Sequence, residues 1–275
     1  MLADVLPYLC CPHCSAGLSS SAGSLRCTSG HVFDVARQGY VNLLAGRVSV
    51  TGDSAAMVAA RDEFLSAGHY APIVAATVAA SAGASAGCVL DLGAGTGHYL
   101  AAVLDASPDR VGIALEIAKP ALRRAARAHP RLGAVGADTW RRLPVRDGAI
   151  SVALTVFAPR NAAETARVLA PDGRLVVVSP TPAHLRELVT ALDLLTVGED
   201  KADRVSASLP GFAVSTQDNC EFEMSLARED VLALVGMGPS AWHVDAETLA
   251  ARVSGLPAPV RVTASVTVTT YVKER

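Results

Sequence analysis

Cys88-Val-Leu-Asp-Leu-Gly93-Ala-Gly95-Thr-Gly97, continued by His98-Tyr-Leu-Ala-Ala-Val-Leu104, is the stretch whose reading decides the fold. Its first five residues form a short apolar run of strand type, and the residues after Gly97 read as a helix. Strand, glycine turn and helix N-terminus in that order present backbone N–H groups and the positive end of a helix dipole to a ligand. The glycines permit tight φ/ψ values and let a ligand come close to the backbone. A dinucleotide fingerprint needs G-x-G-x-x-G. Counted from Gly93, its last glycine falls on His98, so no pyrophosphate cradle is expected.

Reading outward towards the C-terminus, Arg110 to Glu116 is a second strand that ends in a carboxylate. Gly133 to Asp138 is a third strand, also ending in an acid. Ala149 to Phe157 is a buried fourth strand followed by Ala158-Pro159-Arg160. Gly173 to Ser179 is a fifth, after the turn Pro171-Asp172-Gly173. Strands alternating with helices imply a doubly wound, Rossmann-like parallel α/β sheet that binds its ligand at the carboxyl ends of the strands. Further on, Asn219 to Leu226 reads as a strand, Arg228 to Gly236 as a helix, and Val260 to Val272 as a long final strand. Together they predict an antiparallel edge pair with an intervening helix.

Towards the N-terminus, Cys11-Pro-His-Cys14, twelve residues and then Cys27-Thr-Ser-Gly-His31 give C-x₂-C-x₁₂-C-x₃-H. Three thiolates and an imidazole at this spacing can close a tetrahedron around Zn²⁺ and leave no open position, which makes the site structural. Cys10 is an alternative to Cys11, and His13 lies inside the knuckle. Cys11 and Cys14 are preferred because their spacing lets backbone N–H groups point at both sulfurs. A disulfide framework suits small secreted domains, whereas this chain has 275 residues and no signal peptide, so a cytoplasmic protein is expected. The uncharged stretch from Ala71 to Leu90 is broken by Gly83 and Gly87 and reads as helix, linker and strand rather than a membrane span.

Net charge is only −2. Residues 110–146, however, hold eight arginines and one lysine against Glu116 and Asp138, a cluster able to meet phosphates or to form a solvated helix face.

Asp91 to Gly97 is D-x-G-x-G-x-G, which resembles the loop of S-adenosylmethionine-dependent methyltransferases (class I fold). In that setting Asp91, Gly93, Gly95, Thr96, Gly97 and His98 would line the cofactor. Glu116 would accept from the ribose hydroxyls, and Asp138 would reach the adenine amino group. Phe33 to Leu44, Gly52-Asp-Ser54, Ala60-Arg61, Gly68-His-Tyr70, Phe157-Ala-Pro159, Pro182-Ala-His184-Leu and Met237-Gly-Pro-Ser-Ala-Trp242 carry a narrower likeness. The whole chain resembles the RlmA family of 23S rRNA guanine-N1 methyltransferases, and most of all its actinobacterial tylosin- and mycinamicin-resistance branch.

That resemblance implies Cys11, Cys14, Cys27 and His31 as zinc ligands, with Tyr70 and His184 as further cofactor contacts. Phe157 and Pro159 would meet the target base, and Asp53 is the candidate acceptor of the guanine N1 proton. It further implies hairpin 35 of 23S rRNA as substrate and a homodimer as the working form. The organisation expected is a zinc-binding module over residues 1–45, linker and framing helices over 46–86, and the methyltransferase domain over 87–275. A small-molecule methyltransferase and a non-catalytic RNA-binding protein are the alternatives. The basic run and the zinc knuckle argue against the first, and the glycine loop with its three acids argues against the second.

Overall fold

A computed structural model describes residues 2–46, 51–194, 207–238 and 246–274. The chain opens with a short helix α1 (Leu2–Val5) and a three-stranded antiparallel sheet, β1 (Leu18–Ser21), β2 (Ser24–Cys27) and β3 (Val32–Asp34). Then come β4 (Val41–Asn42), α2 (Ala55–Ser66) and α3 (Ala71–Ser81). The Rossmann-like part runs β5 (Cys88–Leu92), α4 (His98–Asp105), β6 (Val111–Glu116), α5 (Lys119–Ala128), β7 (Leu132–Gly136), β8 (Ile150–Val156), α6 (Ala162–Val168) and β9 (Leu169–Pro180). It closes with α7 (Arg186–Leu192), β10 (Phe212–Leu226), α8 (Arg228–Gly236), α9 (Ala246–Ser254) and β11 (Val260–Lys273).

The large sheet has eight strands in the order β10-β11-β9-β8-β5-β6-β7-β4. Pairings from β4 through β9 are parallel, and β11 pairs antiparallel with both β9 and β10. Strand order therefore reverses between β5 and β8, which opens a crevice beyond their carboxyl ends. β5, β7 and β8 are buried along their whole length, as expected of a parallel sheet covered on both faces. Helix α5 shows the opposite patterning. It buries Ala121, Leu122, Ala125 and Ala126 against the sheet and turns Arg123, Arg124 and Arg127 outward.

Several elements differ from the sequence reading. The turn expected at Pro171–Gly173 is absorbed into β9, where the register jumps from Ile150↔Leu169 to Val152↔Arg174. β10 starts at Phe212 rather than Asn219, and among the described residues two helices, not one, separate it from β11. The two-residue strand β4 was not anticipated; it extends the sheet beyond β7. No helix among the described residues is long and apolar enough to cross a membrane.

The N-terminal module is welded to the sheet. Leu18, Leu25, Cys27 and Phe33 share one hydrophobic cluster with Val5, Leu9, Leu90, Ile113 and Val135. Helix α1 packs so closely on β7 that a Cβ on Gly133 would lie 2.4 Å from Val5 Cγ2. Arg146 adds polar stitches, its backbone N–H donating to Tyr8 O (2.9 Å) and its Nε to Leu9 O (3.2 Å).

Candidate functional site

At the reversal point of the sheet lies a cavity of about 270 Å³, near the lower end of small-molecule sites at roughly 300–1,000 Å³. The glycine loop forms its floor. Gly93, Gly95 and Gly97 have φ of +76°, +54° and +80°, values that cost glycine nothing and other residues strain. A Cβ on Gly93 would lie 2.8 Å from Ala158 Cβ, so glycine here also admits the chain after β8. Gly97 is the N-cap of α4, where the loop hands over to the helix.

Strand ends deliver three acids to the wall. Asp91, on β5, is 2 % exposed, and burial together with the Glu116 charge pushes its carboxyl up to about 7. Glu116, last in β6, accepts from the backbone N–H groups of Gly95 (2.8 Å), Ile117 (2.7 Å) and Ala118 (2.8 Å). The ribose role read from sequence thus falls to a carboxylate that is already tying the loop to β6. Asp138, two residues beyond β7, accepts from Trp140 N–H (3.0 Å) and pairs with Arg141 (3.4 Å). Thr96 and His98 also line the cavity, and burial lowers the His98 pKa.

At the mouth stand Phe157, Pro159 and Tyr70. Phe157 is 42 % exposed with φ +52°, an unusual backbone for a bulky residue and one that often marks a functional position. Tyr70 is buried, and its Oη lies 3.3 Å from His184 Nε2. His184 Nδ1 accepts from Ser265 N–H (3.1 Å), so the neutral ring carries its proton on Nε2 and donates to Tyr70. His184 is not among the residues lining the cavity; it stands behind Tyr70 and Phe157, at ring separations of 6.0 and 5.8 Å. The structure thus sets His184 next to the two aromatic rings at the cavity mouth.

Asp53 also lines the cavity, ion-paired with Arg61. It does not cap α2; Ser54 does, its Oγ accepting from Met57 N–H (3.2 Å). Arg61, Tyr99 and Trp140 are polar or aromatic cavity residues to which the sequence assigns no role. Arg61 sits within the Ala60-Arg61 pair, Tyr99 follows His98, and Trp140, 57 % exposed, follows Asp138 by two residues.

Much of the basic run is spent internally. Arg110 is buried and donates to Ser81 O (2.8 Å), and Arg131 binds the carbonyls of Leu104, Ser107 and Arg110 at the end of α4. Arg141 donates to Ala45 O (3.0 Å) and Arg124 pairs with Asp62 (2.7 Å). The phosphate-binding reading gives way to a structural one for Arg110 and Arg131, while Arg124 and Arg141 stay exposed.

In the module, the ligand atoms of Cys11, Cys14, Cys27 and His31 all lie within 4.8 Å of one another. His31 Nδ1 is 3.5 Å from Cys11 Sγ and 3.3 Å from Cys27 Sγ, and Cys14 Sγ is 3.6 Å from Cys27 Sγ. A tetrahedron built on Zn–S of 2.3 Å and Zn–N of 2.0 Å has edges of about 3.5–3.8 Å, so this set fits zinc. A hydrogen bond from the Ser29 side chain, joined by one from Ala16 N–H, lowers the Cys14 thiol to about 6. Cys10 is buried outside the set, and burial raises its pKa, as suits an inert thiol. His13 stacks on Phe33 at 5.9 Å. Both are bystanders to the four ligands.

The zinc-ribbon family described as RlmA, N-terminal, matches residues 9–46. A Streptomyces fradiae protein named 23S rRNA (guanine(748)-N(1))-methyltransferase is 50 % identical over 98 % of each chain. A Micromonospora griseorubida protein with the provisional name 23S rRNA (guanine-N(1)-)-methyltransferase is 52 % identical over 98 % of this chain and 99 % of its own. The chain belongs to the RlmA family. It is an S-adenosylmethionine-dependent methyltransferase with a structural zinc site. Among solved structures, a chain of the Haloferax volcanii complex between the Trm112 methyltransferase activator and a methyltransferase shares the fold. Its TM-score is 0.54 at 18 % identity, over 82 % of this chain and 100 % of that one. The cavity fits the cofactor of the RlmA family: acids stand at three strand ends, and Tyr99, which lines it, has a buried Oη with no hydrogen-bond partner among the described residues.

Proposed function

We propose that this RlmA-family enzyme methylates N1 of a guanine in hairpin 35 of 23S rRNA, and that the mark confers macrolide tolerance. The observation that carries the reading is Phe157. An exposed ring held at positive φ, at the carboxyl end of β8 and on the rim of the cofactor cavity, suits stacking on an extruded base. The Streptomyces relative's name supplies the guanine N1 chemistry.

S-adenosylmethionine, when bound, supplies an electrophilic sulfonium methyl group, so the chain's own residues mainly align donor and acceptor. Asp91, Glu116, Asp138 and residues Gly93 to His98 hold the donor. Phe157 and Pro159 steer the base to it, with Tyr70 packed beside Phe157 at 6.2 Å and buttressed by His184. Guanine N1 must shed a proton during the transfer. Asp53 is the proposed acceptor; Arg61 engages its Oδ2.

Residues 1–45 would grip the hairpin, 46–86 frame the cavity and 87–275 carry the chemistry, in a cytoplasmic homodimer. Primer extension across hairpin 35, on RNA from cells with and without the protein, is the test. N1 methylation removes a Watson–Crick donor, so one guanine should give a protein-dependent stop. Absence of any such stop, with label passing to a metabolite instead, would overturn the reading.

A further inference from the structure

Among the described residues, Asp53, Asp91, Glu116 and Asp138 line the cavity against a single guanidinium, Arg61. Arg61 reaches in from α2 to the glycine loop. Its Cδ and Nη1 stand 3.5 Å from where a Cβ on Gly95 would be. Nη1 holds Asp53 and Nη2 donates to Met237 O (2.8 Å), which fixes the fork while three of its five N–H groups remain for a ligand. Tyr99 comes from the first turn of α4 and lines the same cavity. Its Oη is buried with no hydrogen-bond partner among the described residues, which for a hydroxyl points to a missing ligand atom. Asp91 and Arg61 both lie close enough for their charges to act on that phenol.

We propose that Arg61 and Tyr99 bind the α-carboxylate of the methyl donor, with Asp91 facing its α-ammonium. A fixed cation and an O–H donor beside a carboxylate match the zwitterionic end of an amino acid in both sign and hydrogen-bond sense. The acids at the far ends of β6 and β7 remain for the nucleoside. This inference rests on the S-adenosylmethionine reading of the cavity and adds the two residues that would distinguish an amino-acid-bearing donor from one lacking the carboxylate.

Calorimetry on the zinc-loaded full chain, without RNA, tests it with two ligands that differ only in that carboxylate: S-adenosylmethionine and decarboxylated S-adenosylmethionine. The wild type should prefer the former by about ten- to a hundredfold, the range of a charge-assisted pair. Arg61→Met should reduce the preference to within about threefold while affinity for the decarboxylated ligand holds. Tyr99→Phe should reduce it about three- to tenfold. Should Arg61→Met fail to fold, Arg61→Lys, which keeps the charge without the fork, should still lower the preference at least about threefold. An unchanged preference in the variants overturns the proposal, as does an equal loss for both ligands, which would make Arg61 a prop for the loop. A wild type that binds neither ligand would instead bring down the donor reading of the cavity.

Discussion

The zinc module and the Rossmann-like sheet meet at the β4–β7 pairing, and they are held together by different means. On the sheet side, β5, β7 and β8 are buried throughout, and one hydrophobic cluster from Phe64 and Leu100 to Val266 takes from the module only Tyr40, with Ala36 packed against it. On the module side, β1 buries only Leu18, β2 Leu25 and Cys27, and β3 only Phe33, beside a cluster of four metal ligands. Three strands of three or four residues with so little apolar surface do not stand alone. Metal binding is then largely the folding energy of the module, while burial is that of the sheet. The difference teaches that the metal-binding module and the cofactor-binding sheet have separate sources of stability in one chain, although Leu25 and Leu90 lie in one cluster.

Zinc removal should separate the two most sharply. Cys11→Ser, or chelation, should abolish methyl transfer to rRNA while affinity for S-adenosylmethionine stays within about threefold of wild type. Labelled-methyl transfer and calorimetry on the same preparation read both. Parallel loss of the two would show that the shared cluster makes module and sheet one cooperative unit, and the contrast would fall.

Within the sheet, Asp91 should give the next largest effect. Its folded pKa is raised to about 7, against about 4 for a free aspartate. The folded chain keeps a proton that the unfolded chain releases, so this group's contribution is complete below about pH 4 and is lost as pH rises towards about 7. Asp91→Asn has no proton to lose. It should gain stability on the wild type across that window, by up to a few kcal/mol, and run parallel above it. Denaturant melts of the unliganded chains that stay parallel from about pH 4 to about pH 8 would refute this. Zinc content should not change, since Asp91 takes no part in the module.

How far the sequence could be read follows the same division. β5 and β6 were legible to within a residue because strands buried on both faces are continuous apolar runs. The three strand-end acids and the four zinc ligands were legible because each set has a fixed spacing. β10 was shortened in the reading because residues 213–219 are exposed on both faces, which erases the alternation that betrays a strand. β4 was invisible, being two residues that are a strand only through their pairing with Val135 and Gly136. Arg61, Tyr99 and Trp140 were missed for a related reason. Each reaches the cavity from a helix or loop whose approach only the tertiary fold defines, and a lone arginine or aromatic carries no spacing. His184 shows the converse, a motif residue that the fold packs against Tyr70 and Phe157.

Gly93→Ala probes the seam between the loop and the strand that presents Phe157. The new methyl would need a left-handed φ of +76° and would meet Ala158 Cβ at 2.8 Å. A cost of about 1–3 kcal/mol is expected, appearing as weaker donor binding with zinc content intact. Unchanged affinity would mean that the Ala158 segment yields easily and that Phe157 is not held where it stands.

The smallest effect is expected at Ser54, and it tests whether the boundary between the two regions stops at residue 46. Ser54 Oγ caps α2, the helix that carries Arg61, and its cap closes the turn that brings Thr51, Gly52 and Asp53 to the cavity. Gly52 packs there so tightly that a Cβ would lie 2.9 Å from both Ile117 and Ala118 side chains. Ser54→Ala should cost about 1 kcal/mol, the usual worth of an N-cap, and lower Tm by about 2–4 °C in a chain of this size. Donor affinity should fall with it, because fraying the first turn loosens the Asp53–Arg61 pair, while zinc-dependent RNA binding holds. If the melting temperature drops and the donor still binds normally, residues 51–54 belong to the scaffold alone, and the cavity is built by the sheet without help from the segment that joins it to the module.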